Sequence, residues 1–406
     1  METDQLPSLI LLPFPPNPPN RESLSAAYRA PLTAALSKLK RPDRASKLII
    51  AVSCPILHGQ QLRHKTFSWP EAQALVAGIY SIVSIICAQL SIAAEVEAGP
   101  DSVDANVVLV DHERNKRFFP DFRPAIAPNN TVITDLATFA SAYFPWSLIF
   151  HVESEAGHQL YHTYLKLSEG RQRLLQEQLI PVEGGLTMNI NGDEPLVLPT
   201  QTATRSTVCL GGTFDHLHPG HKLLLTAGAF LLEVPEEASP KPSQYIIGIT
   251  GDEMLKNKKF AEYVESWETR ARNVLLFLST LLSLSSSGWK DAAAPQIAEK
   301  EGEFSASFRD GLITVHCVEI QDAFGPTITT EEMDILVVSG ETRSGGRAVN
   351  DRRVERGWRA LEVYEVDVLD AEEIPDEPAA EENFASKISS TAIRQRRAEA
   401  KTASSS

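Results

Sequence analysis

Apolar and polar positions along the chain form two successive alternations of short apolar runs and longer helical periods. In the first, runs at 48–53, 106–110 and 147–153 read as strands, separated by helical patterns at 24–39, 70–95 and 161–180. In the second, runs at 207–210, 245–250, 313–319, 335–339 and 363–369 alternate with helical patterns at 221–233, 268–284 and 349–357. Strands alternating with helices imply parallel sheets joined by right-handed crossovers. The expected fold class is therefore α/β in both halves, with a parallel-sheet, Rossmann-like C-terminal domain preceded by a separate α/β region. A ligand of such a sheet binds at the carboxyl ends of its strands. The pattern divides the chain into an irregular proline-rich start (1–22), an α/β N-terminal domain (23–192), a polar linker (193–206), a second α/β domain (207–397) and a disordered tail (398–406). Within the second domain, the small-residue stretch 285–307 and the acidic stretch 371–385 read as loops.

One apolar segment is long enough to span a bilayer. Residues 74–94 carry no charge over 21 positions. Their flanks are Glu71 and Glu95, with no Lys/Arg bias at either end. Ser68-Trp-Pro-Glu71 just before it reads as a capping box with proline in the first turn. The segment is read as a buried core helix. The first residues carry Glu2 and Asp4 in place of a basic leader, and no signal peptide is expected.

Charge narrows the function. The 406 residues carry a formal charge of −15, which argues against nucleic-acid or anionic-membrane partners. An anionic substrate would need a local basic site. Cys54, Cys87, Cys209 and Cys317 are scattered with no C-x-x-C pair, as expected of reduced thiols in a cytoplasmic protein. His58, His64, His112, His151, His158 and His162 lack metal-ligand spacing, although the last two are four apart. No metal ligands are expected among the side chains.

The chemistry concentrates at Val208-Cys-Leu-Gly-Gly-Thr-Phe-Asp-His-Leu-His-Pro-Gly-His-Lys222. A strand end runs into Gly211 and Gly212, which allow close approach of the backbone to phosphates. Thr213, Phe214 and Asp215 follow, then the tetrad His218-Pro-Gly-His221 and a leucine-rich helix. A helix N-terminus offers free N–H groups and a positive dipole end to an anion, and two neighbouring imidazoles add donors. The plain alternative is a strand–turn–helix with structural histidines. The joint spacing of Gly-Gly-Thr-Phe-Asp and His-x-Gly-His favours a cradle for a nucleoside triphosphate.

Together these residues resemble the nucleotidyltransferase superfamily of class I tRNA synthetases, adenylyltransferases and cytidylyltransferases. Further motifs are similar to the eukaryotic and archaeal type of pantetheine-phosphate adenylyltransferase. They are Ile249-Thr-Gly-Asp-Glu-Met-Leu-Lys-Asn-Lys-Lys259 with Glu268-Thr-Arg270, Ile320-Gln-Asp-Ala-Phe-Gly-Pro-Thr-Ile328, Leu336-Val-Val-Ser-Gly-Glu-Thr342 with Asn350-Asp-Arg-Arg353, and Lys387-Ile-Ser-Ser-Thr-Ala-Ile-Arg394. The resemblance covers about 205–397. Animal members are fused to dephospho-CoA kinase, whose G-x-x-x-x-G-K-[ST] loop is absent here, so a monofunctional, fungal-like form is expected.

The resemblance implies adenylyl transfer from ATP to 4′-phosphopantetheine, giving dephospho-CoA and pyrophosphate in coenzyme A synthesis. It implies His221 at the α-phosphate, His218 beside it, and Lys259, with Lys258 as the alternate, reaching the incoming phosphate. Thr213 would hold that phosphate by its hydroxyl. Gly340, Glu341, Thr342 and Arg343 would lie near adenine or ribose. Lys387, Ser389, Ser390, Thr391 and Arg394 would close over the β- and γ-phosphates. Mg²⁺ would arrive with ATP, bridged by the triphosphate. A homo-oligomer, or a complex with other enzymes of coenzyme A synthesis, stays open.

Plainer readings stand beside these. Lys256, Lys258 and Lys259 form a charge run of the kind that usually faces solvent. Ser389–Thr391 also suits a helix N-cap. Arg352 and Arg353 near Glu355 suit surface helix pairs. His316 reads as a packed strand histidine, and His216 as dispensable. The rival activities are a nicotinamide-mononucleotide adenylyltransferase, which shares Ile-Ser-Ser-Thr-x-Ile-Arg but lacks Phe-Gly-Pro-Thr, and a non-catalytic nucleotide-binding scaffold.

Overall fold

A computed structural model describes residues 6–404 apart from 60, 62, 97, 115, 120, 124–128, 143–144, 187–200, 237–240, 284–294, 368 and 370–388, and apart from the side chain of residue 341. The described residues form two compact units, one ending at Thr202 and the other beginning at Ala203. Most of the 193–206 linker and the whole 371–385 loop lie outside the described residues.

The first unit runs β1 (Ser8–Leu12), α1 (Arg21–Leu39), β2 (Ser46–Cys54), α2 (Trp69–Gln89), β3 (Val103–Asp111), β4 (Thr134–Asp135), α3 (Leu136–Ala142), β5 (Ile149–Glu153), α4 (Glu155–Leu167) and β6 (Leu179–Glu183). Its six strands are ordered β4-β3-β2-β1-β5-β6, and every pairing is parallel. The start of the chain is therefore not irregular throughout its described residues: β1 is a central strand, with Ser8 opposite Leu48 and Leu9 opposite Ile149. Leu9, Ile10, Leu11 and Leu12 are at most 1% exposed, and each such burial is worth about 1.5–3 kcal/mol. A strand covered on both faces needs no alternation, which is why the pattern concealed it. The helix expected over 161–180 ends at Leu167; Ser168 caps it and Gly170 adopts φ +78°. The chain then turns into β6 on the sheet edge.

Helix α2 has the length and apolarity of a membrane span, and 72% of its most apolar window is buried inside the fold. It packs on α1 and β3, and the Tyr80 hydroxyl accepts the Val107 N–H of β3 at 3.2 Å. The loop after β1 is proline-rich where a dinucleotide-binding unit would carry Gly-x-Gly-x-x-Gly.

The second unit runs β7 (Thr207–Gly212), α5 (Pro219–Phe230), β8 (Ser243–Thr250), α6 (Trp267–Leu282), β9 (Ala298–Lys300), β10 (Glu303–Phe308), β11 (Ile313–Ile320), β12 (Ile335–Ser339), α7 (Arg343–Glu355), β13 (Glu362–Val366) and α8 (Ser390–Ser404). The sheet order is β13-β12-β7-β8-β11-β10-β9. The first five strands in that order are parallel, and β10 and β9 add an antiparallel edge. Part of the stretch read as a 285–307 loop is thus a hairpin turning at Gly302, φ +71°. The tail read as disordered continues α8 to Ser404, as its Ala, Glu and Lys content permits.

The chain leaves β7 for β8 on one side and returns from β11 to β12 on the other. The strand order therefore reverses between β7 and β12, and at such a reversal the connecting loops diverge to leave a crevice at the carboxyl edge. Cys209 and Cys317 are buried in this unit, as Cys54 and Cys87 are in the first.

Candidate active site

The loops at the carboxyl edge of β12, β7 and β8 carry the residues singled out in the sequence. Val208, Cys209 and Leu210 anchor β7 in the core at 2% exposure or less. Gly211 and Gly212 end the strand, and a Cβ on Gly212 would lie 2.9 Å from the Phe214 ring. The turn that follows is strained: Phe214 and His216 adopt φ +53° and +47°, each costing about 1–3 kcal/mol. Its surroundings hold it there. Arg270 donates from Nη1 to the Thr213 carbonyl at 2.7 Å, and the His216 N–H donates to Glu265 Oε2 at 3.0 Å.

His218 is the N-cap of α5, with Pro219 in its first turn. Its Nδ1 accepts the Gly220 N–H at 3.2 Å. In the neutral ring the proton therefore sits on Nε2, leaving that atom as a donor. The His221 ring stacks on His218 with centroids 3.9 Å apart, and Phe214 lies 5.3 Å from His221. Both imidazoles are half-buried. Burial, with the charges of Lys222 and His216 nearby, pushes the His218 pKa down to about 3. Burial and the neighbouring histidines push His221 well below its ordinary value. The pair is therefore neutral at pH 7, suited to donating hydrogen bonds.

Lys258 and Lys259 follow the single helical turn after β8, and both side chains are exposed. Lys256 is tied to Glu253 at 2.5 Å, whereas neither Lys258 nor Lys259 pairs with a carboxylate among the described residues. The Thr213 hydroxyl has no protein partner among them either. Gly340, Glu341 and Thr342 form a turn directly after β12. The Glu341 side chain is outside the described set, and the Thr342 hydroxyl accepts the Ser339 N–H at 3.0 Å. Arg343 is exposed but engaged by both Glu365 oxygens. Lys387 lies outside the described residues. Ser389 and Ser390 begin α8; the Ser389 hydroxyl accepts the Ala392 N–H at 3.3 Å.

Three expected nucleotide contacts are placed otherwise. The Phe214 and Asp215 side chains are fully buried and Arg394 is 3% exposed. Asp215 accepts the Glu265 N–H at 2.9 Å through Oδ1 and Arg394 Nη1 through Oδ2. These side chains face the interior of the turn. His216, set aside in the sequence, is 1% exposed and belongs to the same cluster: Nε2 lies 2.8 Å from the Tyr263 carbonyl and Nδ1 3.3 Å from Glu265 Oε1. Burial by itself would raise the Glu265 carboxyl, but the His216 hydrogen bonds and charge outweigh it and hold the pKa low. Asp215, His216 and Glu265 bring ligand atoms within 4.8 Å of one another. The Arg394 guanidinium already neutralises Asp215, so the group reads as a charge-paired polar core.

Two more arginines brace this unit. Arg270 Nε donates to the Glu265 carbonyl at 2.9 Å, and Nη2 to the Thr250 carbonyl and Asp252 at 2.8 and 2.6 Å. Arg353 is no surface residue: it is fully buried and donates to the carbonyls of Thr327, Thr330, Glu331 and Arg359. It thereby fixes the Phe-Gly-Pro-Thr loop. His316 is half-buried on β11 and bridges Glu303 and Gln244 at 2.8 and 2.7 Å.

Comparison with known proteins bears on this unit. Residues 209–396 match the cytidylyltransferase-like family model. A phosphopantetheine adenylyltransferase of Pyrococcus abyssi is 30% identical over 187 residues, a match covering 46% of this chain and 87% of that protein. The chain belongs to the cytidylyltransferase-like family. In this cytidylyltransferase-like chain the second unit is thus a nucleotidyltransferase-like domain. A phosphopantetheine adenylyltransferase of Saccharomyces cerevisiae is 36% identical over 185 residues, and an uncharacterized protein of Schizosaccharomyces pombe 37% over 187. Each fungal match covers 46% of both chains, so the matched region spans about half the length of these relatives. Residues 1–188 match a domain of unknown function (DUF8446).

Proposed function

We propose that the chain transfers the adenylyl group of MgATP to 4′-phosphopantetheine, giving dephospho-CoA and pyrophosphate. The observation that carries this reading is the stacked His218–His221 pair, its basicity depressed, at the start of α5 on the carboxyl edge, alongside Thr213 and two exposed lysines that pair with no carboxylate among the described residues. The names of the yeast and archaeal relatives support the choice of acceptor.

The acceptor phosphate is already ionised at neutral pH, so attack needs no general base. Its oxygen forms a bond to the α-phosphorus while the bond to the β-phosphate oxygen breaks. Pyrophosphate leaves with that electron pair, and no proton has to move. The task is to align two polyanions and to stabilise charge at the α-phosphorus. His221 and the Nε2–H of His218 would donate to the α-phosphate oxygens, helped by the α5 N-terminus. The Thr213 hydroxyl and Lys259 or Lys258 would hold the acceptor phosphate against like-charge repulsion. Asp252, the Arg343 partner Glu365 and Asp215 are each engaged by an arginine. The cation would therefore be held chiefly by the triphosphate, as part of the substrate. The reaction's location would be the cytoplasm.

The test is pyrophosphate release by the purified full chain with MgATP and each acceptor in turn. Release is expected only with 4′-phosphopantetheine. Release with nicotinamide mononucleotide and none with phosphopantetheine would refute the reading.

A further inference from the structure

We propose that Arg394 is a positioning residue, paired with Asp215, that assembles the nucleotide-facing loops from within and does not itself touch the nucleotide. The inference rests on the nucleotide-site reading above but changes what this arginine is for. The guanidinium is 3% exposed and spends its donors inside the protein. Nε donates to the Lys259 carbonyl at 3.0 Å, Nη1 to Asp215 Oδ2, and Nη2 to the Thr391 hydroxyl at 3.1 Å. Each acceptor belongs to a different loop: the one after β8, the one after β7, and the first turn of α8.

A second bond ties the same parts together. The Ser390 hydroxyl donates to the Asp215 carbonyl at 2.9 Å. The other Asp215 oxygen accepts the Glu265 N–H, and His216 sits beside it with Nε2 at 3.7 Å from Oδ1. Asp215 is thus held on one side by the Glu265–His216 cluster and on the other by α8. Removing Arg394 would release Ser389–Thr391 and the Lys259 backbone together. A single fork with three acceptors in fixed directions is a job for arginine, and lysine cannot reproduce it.

Full-length Asp215→Asn, Arg394→Gln, Arg394→Lys and the Asp215→Asn/Arg394→Gln double variant test this. Two readouts are taken without acceptor: MgATP affinity by calorimetry, and amide hydrogen exchange of residues 389–397 in the nucleotide-free protein. Each single variant is expected to exchange at least about tenfold faster over 389–397 and to bind MgATP about tenfold more weakly. The double variant should be no worse than the weaker single, because the two residues act as one unit. Arg394→Lys should behave like Arg394→Gln. The proposal is overturned if Arg394→Gln weakens MgATP binding while exchange is unchanged, or if Arg394→Lys restores binding. Additive losses in the double variant overturn it too. Should Asp215→Asn not fold, the comparison of Arg394→Lys with Arg394→Gln decides alone. If the unaltered chain does not bind MgATP, the proposed function fails, and the exchange measurement still reports whether Arg394 holds α8.

Discussion

His221 differs from a surface histidine in its stacking partner and its depressed basicity. A neutral ring cannot offer a full positive charge, but it donates a hydrogen bond without giving up a proton. His221→Ala should lower turnover by about 10²-fold or more, as for other oxyanion donors, with the circular dichroism spectrum unchanged. Unaltered turnover would remove it from the chemistry. The low pKa of His218 makes a second prediction. A bound triphosphate favours the protonated ring and raises its pKa from about 3, so binding should take up protons at a pH just above that value. Calorimetry in two buffers of different ionisation enthalpy measures this uptake. Proton release on binding would contradict the arrangement.

At the scale of elements, the connecting segments of the second unit are held by buried guanidinium groups on α6, α7 and α8. Their acceptors are largely main-chain carbonyls. Hydrogen bonds to a charged donor are worth about 1.5–3 kcal/mol each. Arg270→Met should therefore destabilise the second unit by about 3 kcal/mol or more, read from urea unfolding, and Arg353→Met by a similar amount. A loss below about 1 kcal/mol would mean the loops stand without them. These braces also mark the limit of the sequence reading. Strand–helix alternation exposed most of both sheets, and the His-x-Gly-His spacing located the crevice. Carbonyl acceptors leave no side-chain signature, however, so Arg353 resembled a surface residue and Arg394 a phosphate ligand. His216 was passed over for a related reason: its importance comes from two positive-φ residues that fold it back onto Glu265, and no spacing rule encodes that. Strand β1 stays hidden in the sequence because four apolar residues followed by prolines lack periodicity.

For the whole molecule, the archaeal relative is instructive, since its match covers 87% of that protein and only 46% of this chain, while the nucleotidyltransferase-like model matches residues 209–396. A fragment of residues 203–406 is therefore expected to fold and to keep the proposed turnover within about tenfold. A fragment that folds yet is inactive would assign the first unit a part in the reaction. Acid should weaken both units. His112 is buried with its pKa pushed down to about 4, and His218 to about 3. The unfolded chain protonates these groups near pH 6.5 while the folded chain does not, so stability is intact above that pH and declines as pH falls towards 4. Equilibrium unfolding at pH 7 and pH 5 measures the difference.

The buried thiols give each unit its own reporter. Burial raises the pKa of Cys54 in the first unit and of Cys317 in the second, and pushes that of Cys209, also in the second, up to about 12, so none of these three is a ready nucleophile while the fold is closed. A thiol-reactive dye at neutral pH would modify each only when its surroundings open, and peptide mapping would date each event separately. Without any engineered label, the native chain can thus record whether its two halves unfold together or one after the other, and which of them yields first to heat, acid or loss of nucleotide.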